Sequence, residues 1–223
     1  MRLSKRLEAI LDKVPVGSRM ADIGTDHGRL MMAALAEGRC KKVYGVDVSE
    51  PSLNKAKALF SGREANVEFL LGNGVEPLPP HSVDVAVMAG MGFQTIRSIL
   101  ASNRRDIPCW VLQPMSQAPY LREYLVKHGF CIDSEDLVWE NRRFYSVIQC
   151  SWGEDRERSW AEYQLGWKLI ETGHPLLPEL IVWREKYLRR AVAEVLRSNP
   201  EDCEGRAAEL MARIKQLKEA VPT

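Results

Sequence analysis

Short apolar strands alternate with helical segments in this sequence, and this order constrains the fold more than any other feature. The strands are predicted at residues 19–23, 42–46, 67–71, 83–88 and 109–113. Strands that are joined through helices run parallel, since right-handed crossovers return the chain to the same edge of the sheet. Two further strands, at 131–139 and 144–152, follow each other without a helix and predict an antiparallel hairpin. We therefore expect an α/β fold whose sheet ends in that hairpin.

The pattern becomes all-helical after residue 152. Helices are predicted at 159–172 and 180–198, and a last helix carries apolar residues at spacings of three and four: Ala207, Leu210, Ile214, Leu217 and Val221. This spacing is typical of a short coiled-coil seam. We therefore divide the chain into an α/β domain, residues 1–152, and a helical coiled-coil domain, residues 153–223.

Composition excludes several classes of protein. The 31 basic and 30 acidic residues nearly cancel, so a strongly basic nucleic-acid binder is excluded and any such surface must be local. No apolar run approaches the roughly 20 residues that span a bilayer, and the first residues lack the features of a secretory signal. The five cysteines and four histidines are dispersed, which argues against a metal site. We expect a cytoplasmic protein without a membrane partner.

The loops that follow the first two strands carry acids and glycine. Asp22 ends the first strand, and Gly24 permits a sharp turn into the next helix. The spacing of Gly24 and Gly28 is G-x-x-x-G, so the G-x-G-x-x-G fingerprint of dinucleotide binding is absent. Asp47 ends the second strand, where a carboxylate accepts hydrogen bonds from the hydroxyls of a ribose. The alternative is that Asp47 only favours the positive end of a helix dipole.

The loops after the next two strands are short and contain small residues. In Gly72-Asn73-Gly74, Asn73 either pairs with an adenine amino group or only forms a turn. Ala89, Gly90, Met91 and Gly92 either leave space for a flat substrate or pack tightly. A phosphate cradle is absent, since neither a P-loop lysine nor the second glycine of the dinucleotide turn is present. A nucleoside cofactor without phosphates fits these loops, and S-adenosylmethionine (SAM) is such a cofactor.

Five segments in this order resemble one family: ADIGTDHG, YGVDVS, LLGNGVEPL, DVAVMAGMG and VLQP. They are similar to the bacterial tRNA (adenine-22)-N1-methyltransferases. The resemblance covers nearly the whole chain. It implies a Rossmann-like class I methyltransferase domain that binds SAM, a small C-terminal coiled-coil domain, and methylation of adenine N1 in tRNA. It also implies tRNA as the partner, and we expect a monomer or a weak homodimer.

The chain departs from the family pattern at four positions. Thr25 replaces a serine, Asn73 an aspartate, Phe93 a glycine and Met115 an asparagine. Phe93 and Met115 flank the expected pocket for the substrate base. Two alternatives therefore stay open: methylation of another RNA base, a protein or a small molecule, and a catalytically silent module that binds SAM or RNA.

The predicted site residues fall into three sets. Asp26 and His27 are the catalytic candidates, because a carboxylate stabilises a cationic adenine and a histidine moves protons. Their alternative roles are cofactor binding or helix capping for Asp26, and a structural hydrogen bond for His27. The cofactor set is Asp22, Gly24, Asp26, His27, Asp47, Val48, Gly72, Asn73, Gly74, Ala89, Gly90 and Met91. The substrate set is Met91, Gly92, Phe93, Gln113, Pro114, Met115, Tyr145, Arg184, Arg189 and Arg190.

Overall fold

A computed structural model describes residues 3–62, 65–198 and 203–221 of the chain. The chain divides into two compact units, Met1–Arg156 and Glu157–Thr223. No helix among the described residues is both long and apolar enough to cross a membrane. Within the same ranges, no three His, Cys, Asp or Glu side chains are grouped so that they could hold a metal ion.

The first unit alternates helices and strands as predicted. Its helices are α1 (Lys5–Asp12), α2 (Arg29–Ala36), α3 (Glu50–Leu59), α4 (Phe93–Leu100) and α5 (Ala118–Lys127). Its strands are β1 (Ser18–Ile23), β2 (Cys40–Asp47), β3 (Val67–Leu71), β4 (Val85–Met91), β5 (Cys109–Pro114), β6 (Phe130–Glu140) and β7 (Arg143–Trp152).

Seven strands of the described chain form one sheet in the order β3-β2-β1-β4-β5-β7-β6. The strands β1 to β5 pair in parallel, whereas β7 pairs antiparallel with both β5 and β6. The predicted parallel sheet with a terminal antiparallel hairpin is therefore confirmed. Strand order reverses between β1 and β4, and ligands of open α/β sheets bind at such a point, outside the carboxyl ends of the strands.

Local sequence explains where the helices begin. Ser4 and Ser49 accept hydrogen bonds from the backbone N–H groups of Leu7 and Ser52, and so cap α1 and α3. Buried apolar side chains of α1, α2 and the sheet form the core beneath the strands: Ile10, Leu11, Leu30, Met31, Met20, Val43, Val85, Val87 and Val111. The core therefore fixes the sheet, and the sheet sets the position of the loops at its carboxyl edge.

A buried ion pair links α5 to the hairpin. Arg122 Nε donates to Glu135 Oε1 over 2.6 Å, and both side chains are at most 1% exposed. Arg122 also donates to the Ser146 hydroxyl over 3.2 Å. Removing one partner of such a pair leaves an uncompensated buried charge, so this contact holds the hairpin in a fixed place beside α5.

The second unit is helical, with α6 (Trp160–Leu165), α7 (Trp167–Glu171), α8 (Leu177–Ser198) and α9 (Cys203–Glu219). The prediction of one helix over 159–172 is wrong, because Gly166 adopts φ 93° and separates α6 from α7. Lys218, near the end of α9, pairs with Glu185, in the first half of α8, over 3.0 Å. The two long helices therefore run antiparallel. Ala207, Ile214 and Leu217 of the predicted seam are buried.

Candidate active site

The loop between β1 and α2 folds over the end of β2. The backbone N–H groups of Gly24 and Thr25 both donate to the Val46 carbonyl, over 2.7 and 3.2 Å. Gly24 has φ +75°, and a Cβ built there would lie 2.7 Å from Cε of Met91. Glycine at this position therefore leaves open the space between the ends of β1 and β4.

Asp22 is a buried acid at the end of β1, with 5% of its surface exposed. Burial, together with the charge of Asp47, raises the pKa of its carboxyl to about 6. The Thr25 hydroxyl donates to Asp22 Oδ2 over 2.9 Å and partly opposes this rise in pKa. The charge of Asp22 therefore changes close to neutral pH, and a bound cation would stabilise its ionised form.

Asp47 ends β2 and joins three loops. Its Oδ1 accepts from the backbone N–H of Ser49 over 2.9 Å, and its Oδ2 from that of Asp26 over 3.3 Å. The backbone N–H of Gly72 donates to the Asp47 carbonyl over 3.0 Å. A carboxylate offers about four lone-pair sites, so both oxygens retain capacity for ligand hydroxyls.

Asp26 and His27 form a hydrogen-bonded pair at the tip of the first loop. His27 Nδ1 lies 2.5 Å from Asp26 Oδ2, and both side chains are exposed. Asp26 has φ 44°, a left-handed conformation that few residues other than glycine, asparagine and aspartate adopt readily. The loop therefore presents a carboxylate and an imidazole together toward solvent.

Gln113 is a fully buried side chain that joins the ends of β4 and β5. Its Oε1 accepts from the Gly90 backbone N–H over 3.1 Å and from Arg6 Nη1 over 2.6 Å. Its Nε2 donates to the Pro114 carbonyl over 2.8 Å. The pairing of β4 with β5 is irregular between Ala89 and Met91, where Gly90 has φ +74°. Gln113 therefore fixes the Gly90 bulge, with both ends of its amide already occupied.

Arg6 is a cavity residue that was not in the predicted site set. It extends from α1, and its guanidinium lies 5.5 Å from the Tyr145 ring centroid and 3.9 Å from the Glu140 carboxylate. In the sequence, Arg6 is one of several cations near the start of an amphipathic helix, a signal that does not point to a cavity. The structure places this cation beside the carboxyl edge of the sheet.

A cavity of about 460 Å³ lies where the strand order reverses, a volume within the usual range for small-molecule sites. Several predicted cofactor residues line it together: Asp22, Gly24, Asp26, His27, Ala89 and Gly90. Its other lining residues are Arg6, Leu7, Thr25, Arg29 and Leu30. The cavity therefore combines two acids with two arginines.

The remaining predicted cofactor residues are not among those that line this cavity: Asp47, Val48, Gly72, Asn73, Gly74 and Met91. Val48 and Asn73 are exposed, on the loops after β2 and β3. Gly72 and Gly74 pack closely, because added Cβ atoms would lie 2.9 Å from Pro77 and from Ile99 respectively. The loops after β1, β2 and β3 meet at Asp47, which accepts hydrogen bonds from the backbone N–H groups of Asp26, Ser49 and Gly72. This is expected of loops that follow neighbouring parallel strands.

The predicted substrate residues separate into buried and exposed groups. Gln113, Pro114 and Tyr145 are buried, whereas Gly92 and Met115 are exposed. Met115 Sδ lies 3.9 Å from Arg6 Nη1, so it borders the cavity. The Phe93 ring packs instead near Tyr120 and Tyr124 of α5.

Arg184, Arg189 and Arg190 lie on α8 in the second unit. Arg189 and Arg190 line a cavity of about 360 Å³ on this helix, together with Val182, Glu185, Lys186 and Ala193. Arg189 Nε donates to Glu185 Oε1 over 2.8 Å, and the Arg184 guanidinium lies 5.5 Å from the Trp183 ring centroid. The charged residues that line this cavity are basic apart from Glu185, and Val182 and Ala193 are apolar.

A family model described as a methyltransferase domain matches residues 3–148. The chain belongs to this methyltransferase family. The predicted family resemblance of this methyltransferase is confirmed by a curated relative from Bacillus subtilis, a tRNA (adenine(22)-N(1))-methyltransferase. The two are 28% identical over 69% of this chain and 67% of the relative.

Solved structures share the fold of this methyltransferase over nearly its whole length. The crystal structure of the B. subtilis m1A22 tRNA methyltransferase TrmK is 24% identical, has a TM-score of 0.86 and covers 99% of each chain. Mycoplasma capricolum TrmK, solved with S-adenosyl-homocysteine, is 21% identical and has a TM-score of 0.83. That match covers 98% of this chain and 97% of the M. capricolum chain. The predicted Rossmann-like domain with a helical C-terminal region is therefore confirmed.

Proposed function

We propose that this methyltransferase transfers a methyl group from SAM to N1 of an adenine in tRNA, at position 22 as its B. subtilis relative is named to do. The supporting observation is the cavity at the reversal of strand order, in which Asp22 and Asp26 accompany Arg6 beside Asp47. This charge distribution matches a cofactor that carries a ribose, an ammonium group and a carboxylate.

The residues present fit SAM, because each charged part of the cofactor has an opposite charge in or beside the cavity. Asp47 would accept hydrogen bonds from the ribose hydroxyls, and Asn73 would pair with the adenine of the cofactor. Asp22, whose pKa is about 6, would hold the ammonium group, and Arg6 would hold the carboxylate. The bound cofactor supplies an electrophilic methyl group with a neutral leaving group.

Catalysis requires positioning more than proton removal. The N1 atom of adenine has an in-plane lone pair that is free at neutral pH, so no base must act first. Correct placement of the two reactants supplies about 7–11 kcal/mol in well-oriented reactions. Methylation makes the adenine cationic, and the Asp26 carboxylate would stabilise that charge or accept a proton from N6. His27, 2.5 Å from Asp26, would orient this carboxylate and pass the proton to solvent.

The helical unit would contact the phosphates of the tRNA. Arg184, Arg189 and Arg190 of α8 are the predicted contacts, and Arg189 and Arg190 line the cavity on this helix together with Lys186. Phosphate contacts release counterions, so tRNA affinity would fall steeply with salt. Substituting Arg190, which is exposed, by glutamine is expected to reduce this dependence on salt.

The decisive experiment is methyl transfer from labelled SAM to an unmodified tRNA transcript, followed by nucleoside analysis. We expect N1-methyladenosine, and a matched transcript with guanine at position 22 should remain unlabelled. An Asp26→Asn variant should bind SAM but transfer the methyl group slowly. Label on another base would overturn the adenine assignment. No transfer to any tRNA despite SAM binding would indicate another substrate or a silent binding module.

A further inference from the structure

Four aromatic side chains form a continuous surface that leads away from the cavity. The Phe93 ring centroid lies 6.4 Å from those of both Tyr120 and Tyr124. The Tyr124 ring stacks on His128, with centroids 3.9 Å apart and planes 21° from parallel. We call Phe93, Tyr120, Tyr124 and His128 the aromatic strip.

The aromatic strip begins three residues after Gly90, which lines the cavity. Phe93 is the first residue of α4, and it follows the loop in which Met91 approaches Gly24. The other three rings are spaced four residues apart along α5 and its C-terminal cap, and residues four apart lie on the same face of a helix. The rings therefore share one face of α5 and meet the start of α4, just after the loop that borders the cavity.

The aromatic strip ends in a second cavity of about 590 Å³ in the first unit. Its lining includes aromatic and polar side chains: Arg97, Asn103, Tyr124, His128, Phe130 and Trp152. No acidic side chain is among the described residues that line it. Arg97 therefore places a cation in the same cavity as Tyr124 and His128.

Packing of the core does not account for this surface. Leu121 and Leu125 turn toward the core and are fully buried, whereas Tyr120 is 58% exposed on the same helix. His128 is exposed as well. Exposed Tyr120 and His128 rings, next to a cavity that Arg97 lines without any carboxylate, match the chemistry of an unstacked nucleotide, whose base stacks and whose phosphate is anionic.

We propose that the aromatic strip and the second cavity bind an unpaired nucleotide that flanks the target adenine in the RNA substrate. This inference rests on the proposed function, since it requires an RNA substrate. Access to adenine N1 requires the base to leave its stack, which exposes the face of its neighbour. The rings would bind that face, and Arg97 would contact the phosphate.

The test measures tRNA affinity and methyl transfer of the full-length protein with variants of the exposed rings. Stacking of a base contributes about 1–3 kcal/mol, so Tyr120→Leu and His128→Ala should each weaken tRNA binding roughly 5- to 150-fold. Tyr120→Phe keeps the ring and should retain affinity. Lys127→Ala on the same helix removes an exposed cation that pairs with Glu123 and leaves every ring in place, and it should change affinity less than Tyr120→Leu. SAM binding should stay unchanged in all four variants.

An abasic substrate separates stacking from a general loss of binding. We expect tRNA that is abasic at one nucleotide flanking the target adenine to bind unsubstituted protein and Tyr120→Leu equally weakly. If the protein methylates tRNA but Tyr120→Leu and His128→Ala bind tRNA normally, the aromatic strip does not bind the flanking nucleotide. The proposed function is then unaffected. If the unsubstituted protein methylates no tRNA, the proposed function fails and this inference with it. Equal losses for Tyr120→Phe and Tyr120→Leu would also overturn stacking.

Discussion

The Asp47 carboxylate accepts a hydrogen bond from the backbone N–H of Asp26, with Oδ2 and N 3.3 Å apart. The residue that we assign to the cofactor ribose therefore also holds the loop that carries the catalytic candidates. A ligand hydroxyl that donates to the Asp47 carboxylate shares this acceptor with the backbone N–H of Asp26. Cofactor binding and the geometry of the Asp26–His27 pair are coupled through one side chain.

Asp47→Asn should weaken SAM binding about 10- to 150-fold, because hydrogen bonds to a charged group contribute about 1.5–3 kcal/mol. Isothermal titration calorimetry with SAM measures this change. Glu37→Gln, which neutralises an exposed acid at the far end of α2, is the matched control and should bind normally. Unchanged affinity in Asp47→Asn would contradict the assignment of the ribose to this carboxylate.

Gly24→Ala should reduce SAM affinity as well as stability. The left-handed backbone conformation costs a non-glycine residue about 1–2 kcal/mol, and the new Cβ would also displace Cε of Met91 into the cavity. Gly38→Ala is the control, since Gly38 has a similar φ of +65° with nothing within 4 Å of an added Cβ. Urea unfolding should show similar losses of stability in both variants, and only Gly24→Ala should lose SAM affinity. Equal SAM binding by both variants would mean that SAM does not occupy the space between the ends of β1 and β4.

Asp22 should make the stability of the ligand-free protein depend on pH. Its folded-state pKa of about 6 lies above the ordinary value of 3.8, so the folded state binds this proton more tightly than the unfolded state. The free energy of unfolding should therefore fall as the pH rises from 3.8 to about 6, by up to about 3 kcal/mol. In urea titrations across this range, Asp22→Asn should lack this component. Parallel pH profiles for the two proteins would show that Asp22 ionises normally.

Arg6→Met should weaken binding of S-adenosyl-homocysteine but not of 5′-methylthioadenosine, which lacks the ammonium and carboxylate groups. Loss of a charge-assisted contact predicts roughly a 10- to 150-fold change for the first ligand. Lys5→Ala removes the neighbouring exposed cation and should affect neither ligand. Calorimetry with both ligands makes the comparison, and equal losses would mean that Arg6 supports the cavity rather than the carboxylate.

The sequence predicted the site best where a parallel sheet determines the geometry. Acids and glycines that follow parallel strands lie at the carboxyl edge of the sheet, and this placement does not depend on how individual side chains pack. Asp22, Gly24 and Asp47 therefore came together as expected, although they are spread through the first 47 residues. The terminal hairpin was also predicted correctly, because two strand patterns follow each other without a helix between them.

Features that depend on tertiary contacts were not predicted. The amphipathic spacing of α1 shows which face is buried, but not that Arg6 reaches Gln113, 107 residues away. The sequence likewise does not show that both ends of the Gln113 amide are occupied. Gly166 lies within an uninterrupted apolar pattern, so only its backbone angle reveals the break between α6 and α7.

The separation of Arg6 and Gln113 along the chain also affects how the protein is made. Residues are added at about 5–20 per second during synthesis, so several seconds separate the synthesis of Arg6 from that of Gln113. Ile10 and Leu11 of α1 lack their core partners from β4 and β5 during this interval. The nascent chain therefore leaves this apolar face uncovered, and the contact between Arg6 and Gln113 forms only after about half of the 223 residues have been made.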